Sequence, residues 1–227
     1  MFRYLIIFIF LFLNDSIFGF SLHYTCTTSE EEEWLVRWEF SEIENSLKMI
    51  RNDYTGERIF ISNSFGSIQE FFYKDIDDKI YFSGKRNGTD IEVSNSMRRR
   101  AKSKNINPEN AYWYQPLGLC FFDFALSGDS EREFFFVNPE SLRLLNMTIE
   151  KEGTEFIEID GESREAIYAE LRLNGILAPF WRGRYWLCPE TGIILRYIGT
   201  FGPGTEKTVM EITDVIGDIE NIAFFRK

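Results

Sequence analysis

The strand period of two, punctuated by hairpin turns, is what most limits the folds open to this chain. Trp34, Val36, Trp38 and Phe40 are apolar while Arg37, Glu39 and Ser41 lie between them, giving one aromatic face and one polar face. Successive side chains alternate in this way on a strand and not on a helix. Segments of the same character follow at short intervals: Leu47–Tyr54, Arg58–Ser62, Ile68–Lys74, Lys79–Gly84 and Thr89–Ser94. Thr55-Gly56 and the acidic turn Asp75, Asp77, Asp78 separate them, as does Asn87-Gly88, whose two residues both tolerate the positive φ of a tight hairpin. No proline precedes Pro108, so no missing amide interrupts these ladders. The first third reads as an antiparallel meander.

The middle changes character. Met97–Lys104 is strongly basic, and Asn107-Pro108-Glu109 places a capping residue ahead of a proline suited to a first helical turn. A short helix or ordered loop is expected through Ala111–Trp113 and Leu117–Leu126. Asn138-Pro139-Glu140 repeats the signal, with Leu142 and Leu145 on one stripe of a two-turn helix. Phe134-Phe135-Phe136 puts rings on both faces of one strand, which marks a segment buried on both sides. Strands then return: Glu155–Asp160 ending at Asp160-Gly161, Ile167–Leu173, Arg184–Cys188, Ile193–Thr200 and Lys207–Val215, with Pro189–Gly192 as the clearest hairpin turn. The middle lacks the rhythm of parallel crossovers, so a βαβ sheet is not expected. The expectation is a mostly β fold, an antiparallel sheet of about nine to eleven strands with short helices on one face.

Residues 1–19 read as a secretory signal: Arg3, then the apolar run Tyr4–Leu13, then polar Asn14-Asp15-Ser16. Ten apolar residues fall short of the roughly 20 that span a bilayer, which favours a cleaved signal. Cleavage fits after Gly19 or after Ser21; the competing reading is an uncleaved anchor, because Ile17, Phe18 and Phe20 extend the apolar stretch. The expected organisation is a signal over 1–19, an acidic leader over 20–33 and a single β-rich domain over 34–220 with a helical insert near 97–146. The expected location is periplasmic or extracellular, with no membrane span after cleavage.

The formal charge of -11 opposes non-specific binding to nucleic acid or anionic lipid, whose phosphates repel the molecule at long range. One histidine, His23, sits near the expected mature terminus, where side chains are usually mobile, and this removes most histidine-based metal sites and triads. There is no Gly-x-Ser-x-Gly elbow, Walker loop or Gly-x-Gly-x-x-Gly. The expectation is a non-enzyme with no cofactor and no metal; the Asp75–Asp78 turn lacks the glycine and distal glutamate of a calcium loop. A hydrolase working through paired carboxylates stays open, because sequence carries no distances. Of three cysteines, Cys120 and Cys188 lie in apolar, structured-looking sequence and form the candidate disulfide, with unpaired buried thiols as the alternative.

The stretch Tyr185-Trp-Leu-Cys-Pro-Glu-Thr-Gly-Ile-Ile-Leu-Arg-Tyr197, followed by Gly202–Gly204 and the strand Thr208–Val215, is similar to the closing hairpins of the LolA/LolB-like superfamily of outer-membrane lipoprotein carriers. The resemblance covers about thirty residues by motif. It implies a curled antiparallel sheet, an incomplete barrel, with short helices on its concave face. It also implies carriage or sensing of an acyl lipid or lipoprotein.

A concave sheet lined by Trp34, Trp38, Phe40, Phe72, Trp113 and Trp186 would hold an acyl chain at about 0.8 kcal/mol per buried methylene. The competing reading is a filled core. Arg98, Arg99 and Arg100, with Lys102 and Lys104, form a local inversion of charge able to grip an anionic group or an acidic envelope partner; the plainer reading is a solvated linker. The second functional class is a secreted interaction protein that binds through a sheet edge or this basic segment.

Overall fold

The computed structural model describes residues 19–43, 46–62, 68–74, 80–96, 102–108, 111–115, 117–139, 141–175, 181–200 and 206–217. Fifteen strands and one helix stand among them. In chain order the first eight strands are β1 (Gly19–Thr28), β2 (Glu33–Ile43), β3 (Ser46–Asp53), β4 (Gly56–Ser62), β5 (Ile68–Lys74), β6 (Ile80–Asn87), β7 (Asp90–Asn95) and β8 (Lys102–Ile106). Then come β9 (Tyr112–Trp113), α1 (Leu117–Leu126), β10 (Glu131–Val137), β11 (Leu144–Ile159), β12 (Glu162–Leu173), β13 (Arg182–Leu187), β14 (Ile194–Thr200) and β15 (Lys207–Gly217).

All fifteen strands form one sheet in the order β8-β7-β6-β5-β4-β3-β2-β1-β15-β14-β13-β12-β11-β10-β9. The first described strand, β1, thus stands at the centre of the sheet; the chain steps outward from it along one wing to β8, passes to β9, and steps back inward until β15 pairs with β1. Laid flat, fifteen strands would be about 67 Å wide. Yet β8 and β9, the two extremes, are joined by residues 107–111 alone, a link that reaches at most about 22 Å. The sheet has no choice but to curl until its edges approach, and it remains open there because β8 and β9 do not pair. This is the curled, incomplete barrel that the resemblance of the closing hairpins implied.

Hairpins set the registers. Asn87 pairs with Asp90 across Gly88-Thr89, where Gly88 has φ +65°. Ile159 pairs with Glu162 across Asp160-Gly161, whose φ values of 53° and 77° are those of the mirror-image turn that matches strand twist. At the β13–β14 turn, the Gly192 amide donates to the Cys188 carbonyl at 2.8 Å with φ +73°. Gly192 is constrained a second time: a Cβ there would stand 2.6 Å from the Phe122 carbonyl oxygen on α1. The turn is therefore also the seat of the helix.

The inner face is read by following registers across the sheet. Phe20, Phe40, Met49, Phe60 and Phe71 are successive partners from β1 through β5, all buried. On the other wing Met210, Tyr197, Tyr185 and Ala169 do the same. Helix α1 lies on this face with Phe121, Phe122 and Phe124 buried, and it ties the wings together. Phe122 meets Phe40 at 5.6 Å on one side, and Phe121 meets Tyr185 at 4.8 Å on the other. The outer face carries cross-strand ion pairs such as Lys74–Glu57, Lys85–Glu70 and Arg196–Glu211, as a solvated sheet face should.

Several expectations are corrected. The segment read as a leader is for the most part β1, paired along its length with β2 and β15, and His23 is fixed within it rather than mobile. Its alternation (Phe20, Leu22, Tyr24, Cys26) was obscured because it continues the apolar run before it. Glu30–Glu33 are exposed, as expected, but they form the β1–β2 turn and the start of β2. Strands number fifteen rather than nine to eleven. The region read as a helical insert is mostly strand, with α1 its one helix among the described residues. At Asn138 the side-chain Oδ1 accepts from the Ser141 amide at 2.9 Å, and the Asn138 amide donates to the Arg143 carbonyl at 2.9 Å. The capping residue therefore closes a turn into β11 instead of opening a helix. One pair, β9 with β10 around α1, is parallel, and the rest of the sheet is antiparallel, in keeping with the mostly antiparallel sheet expected.

Beside it, Phe134 and Phe135 are both buried on opposite faces of β10, as the triple phenylalanine implied. Phe134 packs on Tyr114 and Phe121, while Phe135 stacks over Trp113. Where β9 gives out, the buried Gln115 side chain takes over its pairing. Its Oε1 accepts from the Val137 amide and its Nε2 donates to the Val137 carbonyl.

Candidate functional site

The six aromatic residues expected to line the concave face divide by strand parity. By parity Trp38 and Phe40 are buried on the concave face, whereas Trp113 pairs with Phe135 on the face of β9 and β10 opposite Phe134 and is buried there against the inner side of the N-terminal wing. Trp113 reaches across the curl to Phe71 at 5.4 Å, over Gly84, where a Cβ would meet the indole at 2.9 Å. Trp34 shares the inward parity but sits half-buried at the rim, edge-on to the exposed Tyr54. Phe72 and Trp186 lie on the opposite face. Phe72 is the register partner of outward Ile59, and Trp186 packs on Tyr168 with its Nε1 donating to Glu155 at 2.8 Å. In Phe71-Phe72 and Tyr185-Trp186, two adjacent rings compete for one inward position, and the sequence does not say which wins. Arg98, Arg99 and Arg100 lie outside the described residues, as do Asp75, Asp77 and Asp78. Cys188 is a free thiol whose Sγ donates to Glu190 at 3.0 Å, so the expected bridge is not formed here. The Cys120 side chain lies outside the described residues.

A charged cluster on the concave face was not anticipated. Arg51 follows inward Met49 by two residues on β3, and Arg58 precedes inward Phe60 by two on β4. They are direct register partners across the β3–β4 hairpin. Like charges placed opposite one another repel. Asp53 answers both: its Oδ2 stands 3.2 Å from Arg51 Nη2 and 2.5 Å from Arg58 Nη1. Thr55 holds the carboxylate from its other side, donating to Oδ1 through its amide at 2.9 Å and its hydroxyl at 2.5 Å. Burial pushes the Asp53 carboxyl up, but the two guanidiniums and the Thr55 bonds outweigh it and hold it below the usual carboxylate range. Burial and the neighbouring Arg58 lower Arg51. Arg58 lies over the Tyr73 ring, 5.4 Å from its centroid. The signal for this cluster was present in the sequence: counting by twos from Met49 and Phe60 puts both arginines on the apolar face.

Around it the register places Trp38 beside Arg51 and Tyr73 beside Arg58. Tyr24 stands diagonally across from Trp38 with ring centroids 4.9 Å apart. The Tyr24 hydroxyl and the Trp38 Nε1 are buried with no hydrogen-bond partner among the described residues. Burial, with a smaller contribution from Cys26, keeps the Tyr24 phenol well above its ordinary range. Burial pushes the Cys26 thiol up to about 12, with Arg51 opposing and Asp53 adding to it. The cluster is thus a row of donors around one carboxylate inside an aromatic frame. Among the described residues no group of three or more His, Cys, Asp and Glu is placed to hold a metal.

A single sheet curled short of closure, with a helix on its inner side, defines a barrel-like class of fold. One solved structure similar to the chain shares this fold. A β-barrel-like protein of the domain of unknown function DUF1849 from Brucella abortus superposes with a TM-score of 0.58 at 10% identity, covering 88% of this chain and 98% of that one. The neighbours also include the hypothetical lipoprotein YmcC from Escherichia coli, with a TM-score of 0.39 at 12% identity over 86% of each chain. A LolA superfamily protein from Nitrosomonas europaea is a further neighbour, with a TM-score of 0.25 at 10% identity, covering 88% of this chain and 84% of that one. The first shows the shared fold; the other two superpose too loosely to bear an argument. No family profile and no curated protein matches the chain.

Proposed function

We propose that this protein is a non-enzymatic binding module, secreted or periplasmic, that takes an acyl lipid or the acyl part of a lipoprotein against the concave face of its curled sheet. The observation that carries the reading is the face itself: aromatic side chains from both wings meet there, and one ten-residue helix is the only helix covering it among the described residues. Such a surface favours an alkyl chain over a polar ligand by about 25 cal/mol per Å² removed from water. The inner side chains are packed against one another, so a ligand enters by displacing part of this packing. The resemblance of the β13–β14 turn and its flanking strands to carrier proteins supports the same reading.

Export is supported by the Arg3 and Tyr4–Leu13 pattern. The fold adds that Phe20 stacks on Phe40 with centroids 4.3 Å apart, a contact that cleavage after Gly19 keeps and cleavage after Ser21 removes. No helix among the described residues is long and apolar enough to cross a membrane. Strand addition at an edge has less support. The β8 edge presents exposed Lys102 and Lys104, a device that blunts edge pairing, and β9 is two residues long. Native mass spectrometry of the protein from a secreted fraction, before and after organic extraction, tests the reading. A bound mass of lipid size that extraction removes is expected. A ligand-free mass, with no uptake of added acyl lipid, overturns it.

A further inference from the structure

From the cluster on the N-terminal wing we infer that Tyr24, Trp38, Arg51 and Arg58 form a head-group site for the anionic oxygens of a single-chain amphiphile, whose alkyl chain runs from there along the aromatic face toward Phe40 and α1. The inference rests on the acyl-binding reading and names the chemical class that reading leaves open. Four observations carry it.

First, Tyr24 Oη and Trp38 Nε1 are buried donors with no acceptor among the described residues, whereas nearly all such groups in folded proteins are satisfied. Second, every group in the row donates. Indole and guanidinium have donors only, and a guanidinium has five, more than Asp53 and Thr55 occupy on Arg58. An acceptor-rich anion is the complement of such a set, and an ammonium head is excluded by it. Third, exposure is graded: the Arg51 and Arg58 side chains keep 15% and 18% of their surface in solvent, while Tyr24 and Trp38 lie deeper at 0% and 2%. A head group therefore meets the guanidiniums before the neutral donors. Fourth, the chain as a whole carries -11, so long-range attraction does not bring an anion here and recognition must be local.

The test uses the full chain freed of bound lipid, titrated below micellar concentrations with laurate, dodecyl phosphate and dodecanol and followed by tryptophan fluorescence. At least one of the two anions is expected to bind about tenfold or more tightly than the alcohol, the scale of one charge-assisted contact. Whichever anion binds more tightly identifies the head as carboxylate or phosphate. Arg58→Gln should bring the anion-to-alcohol ratio toward one. Tyr24→Phe removes a hydroxyl that has no partner among the described residues, so it should leave folding intact and keeps the test open if the arginine variant does not fold; it should weaken anion binding severalfold. Equal affinity for all three, unchanged in both variants, overturns the head-group site and leaves acyl binding standing. Binding of none of the three overturns both.

Discussion

Each wing of the sheet buries arginine on its inner side, and the two wings use it in opposite ways. On the C-terminal wing a single guanidinium, Arg132, is surrounded. It bonds to Asp123 at 2.5 Å, to Asp129 at 2.5 Å and to the Tyr114 hydroxyl at 2.9 Å. Its ring neighbours are Tyr112 and Phe124. Burial works against its charge, and the tyrosine and the two aspartates more than restore it, so its affinity for the proton rises. Asp123 belongs to α1 and Arg132 to β10, so this cluster is a clamp that fixes the helix. On the N-terminal wing two guanidiniums share the Asp53 carboxylate, and two neutral donors beside them have no acceptor among the described residues. A saturated cluster holds structure together; a donor-rich one is organised to receive something.

The largest effect should come from breaking the clamp. Arg132→Met leaves Asp123 and Asp129 without their shared cation and should cost about 3–4 kcal/mol in urea unfolding. A loss below about 1 kcal/mol would mean that the clamp is incidental. The seat of the helix comes next. Gly192→Ala adds a clash with the Phe122 backbone to the strain of positive φ, and should cost about 2–3 kcal/mol. Gly88→Ala has a similar φ but nothing within 4 Å of the added carbon, and should cost about 1 kcal/mol. Equal losses would show that the turn and the helix are uncoupled.

A smaller and pH-dependent effect is expected at Asp53→Asn, which leaves the two arginines facing each other without their bridge and should cost about 1–2 kcal/mol at pH 7. Because the folded carboxyl titrates below its unfolded range of about 4, its stabilisation is complete above that range. It is lost as pH falls through the lower folded value. The gap between the parent and the variant should therefore narrow in acid and stay constant from pH 6 to 8; a gap that widens in acid would reverse the sign assigned to Asp53.

The smallest effects sharpen the comparison most. Tyr114→Phe deletes a bond to a charged partner and should lower stability by about 1.5 kcal/mol. Tyr24→Phe deletes a hydroxyl that has no partner among the described residues and should leave the thermal midpoint unchanged or raised. Equal losses at the two tyrosines would place Tyr24 in a satisfied network and dissolve the contrast between the wings.

Much of this was legible in the residues themselves. Asp160-Gly161 and Pro189–Gly192 specify their turns through local φ preferences, as does Gly88, although the turn centres on Gly88-Thr89 and leaves Asn87 paired in β6; the alternation through Trp34–Ser41 specifies a strand through side-chain geometry. Both are short-range causes, and a sequence displays them directly. The Arg51–Arg58 pair was legible too, by parity from Met49 and Phe60 across the Thr55-Gly56 turn. It was overlooked because charged residues are ordinarily assigned to the solvent face.

Other features depend on partners far along the chain. That β1 closes against β15 follows from no local pattern, since its apolar residues match those of the run preceding it. Asn138-Pro139-Glu140 has the local chemistry of a helix start, yet the pairing of β11 with both β10 and β12 draws the chain into a strand. Adjacent rings such as Tyr185 and Trp186 are equally apolar, and the curl of the sheet chooses Tyr185 to meet Phe121 on α1. The hairpin turns outside the middle region and the two-faced character of the strands beside them were thus determined by the sequence alone, because they arise between residues a few positions apart. Which strands meet, which ring faces inward and which arginine is clamped were decided by tertiary structure, because a short link between the two edges forces a wide sheet to curl back on itself.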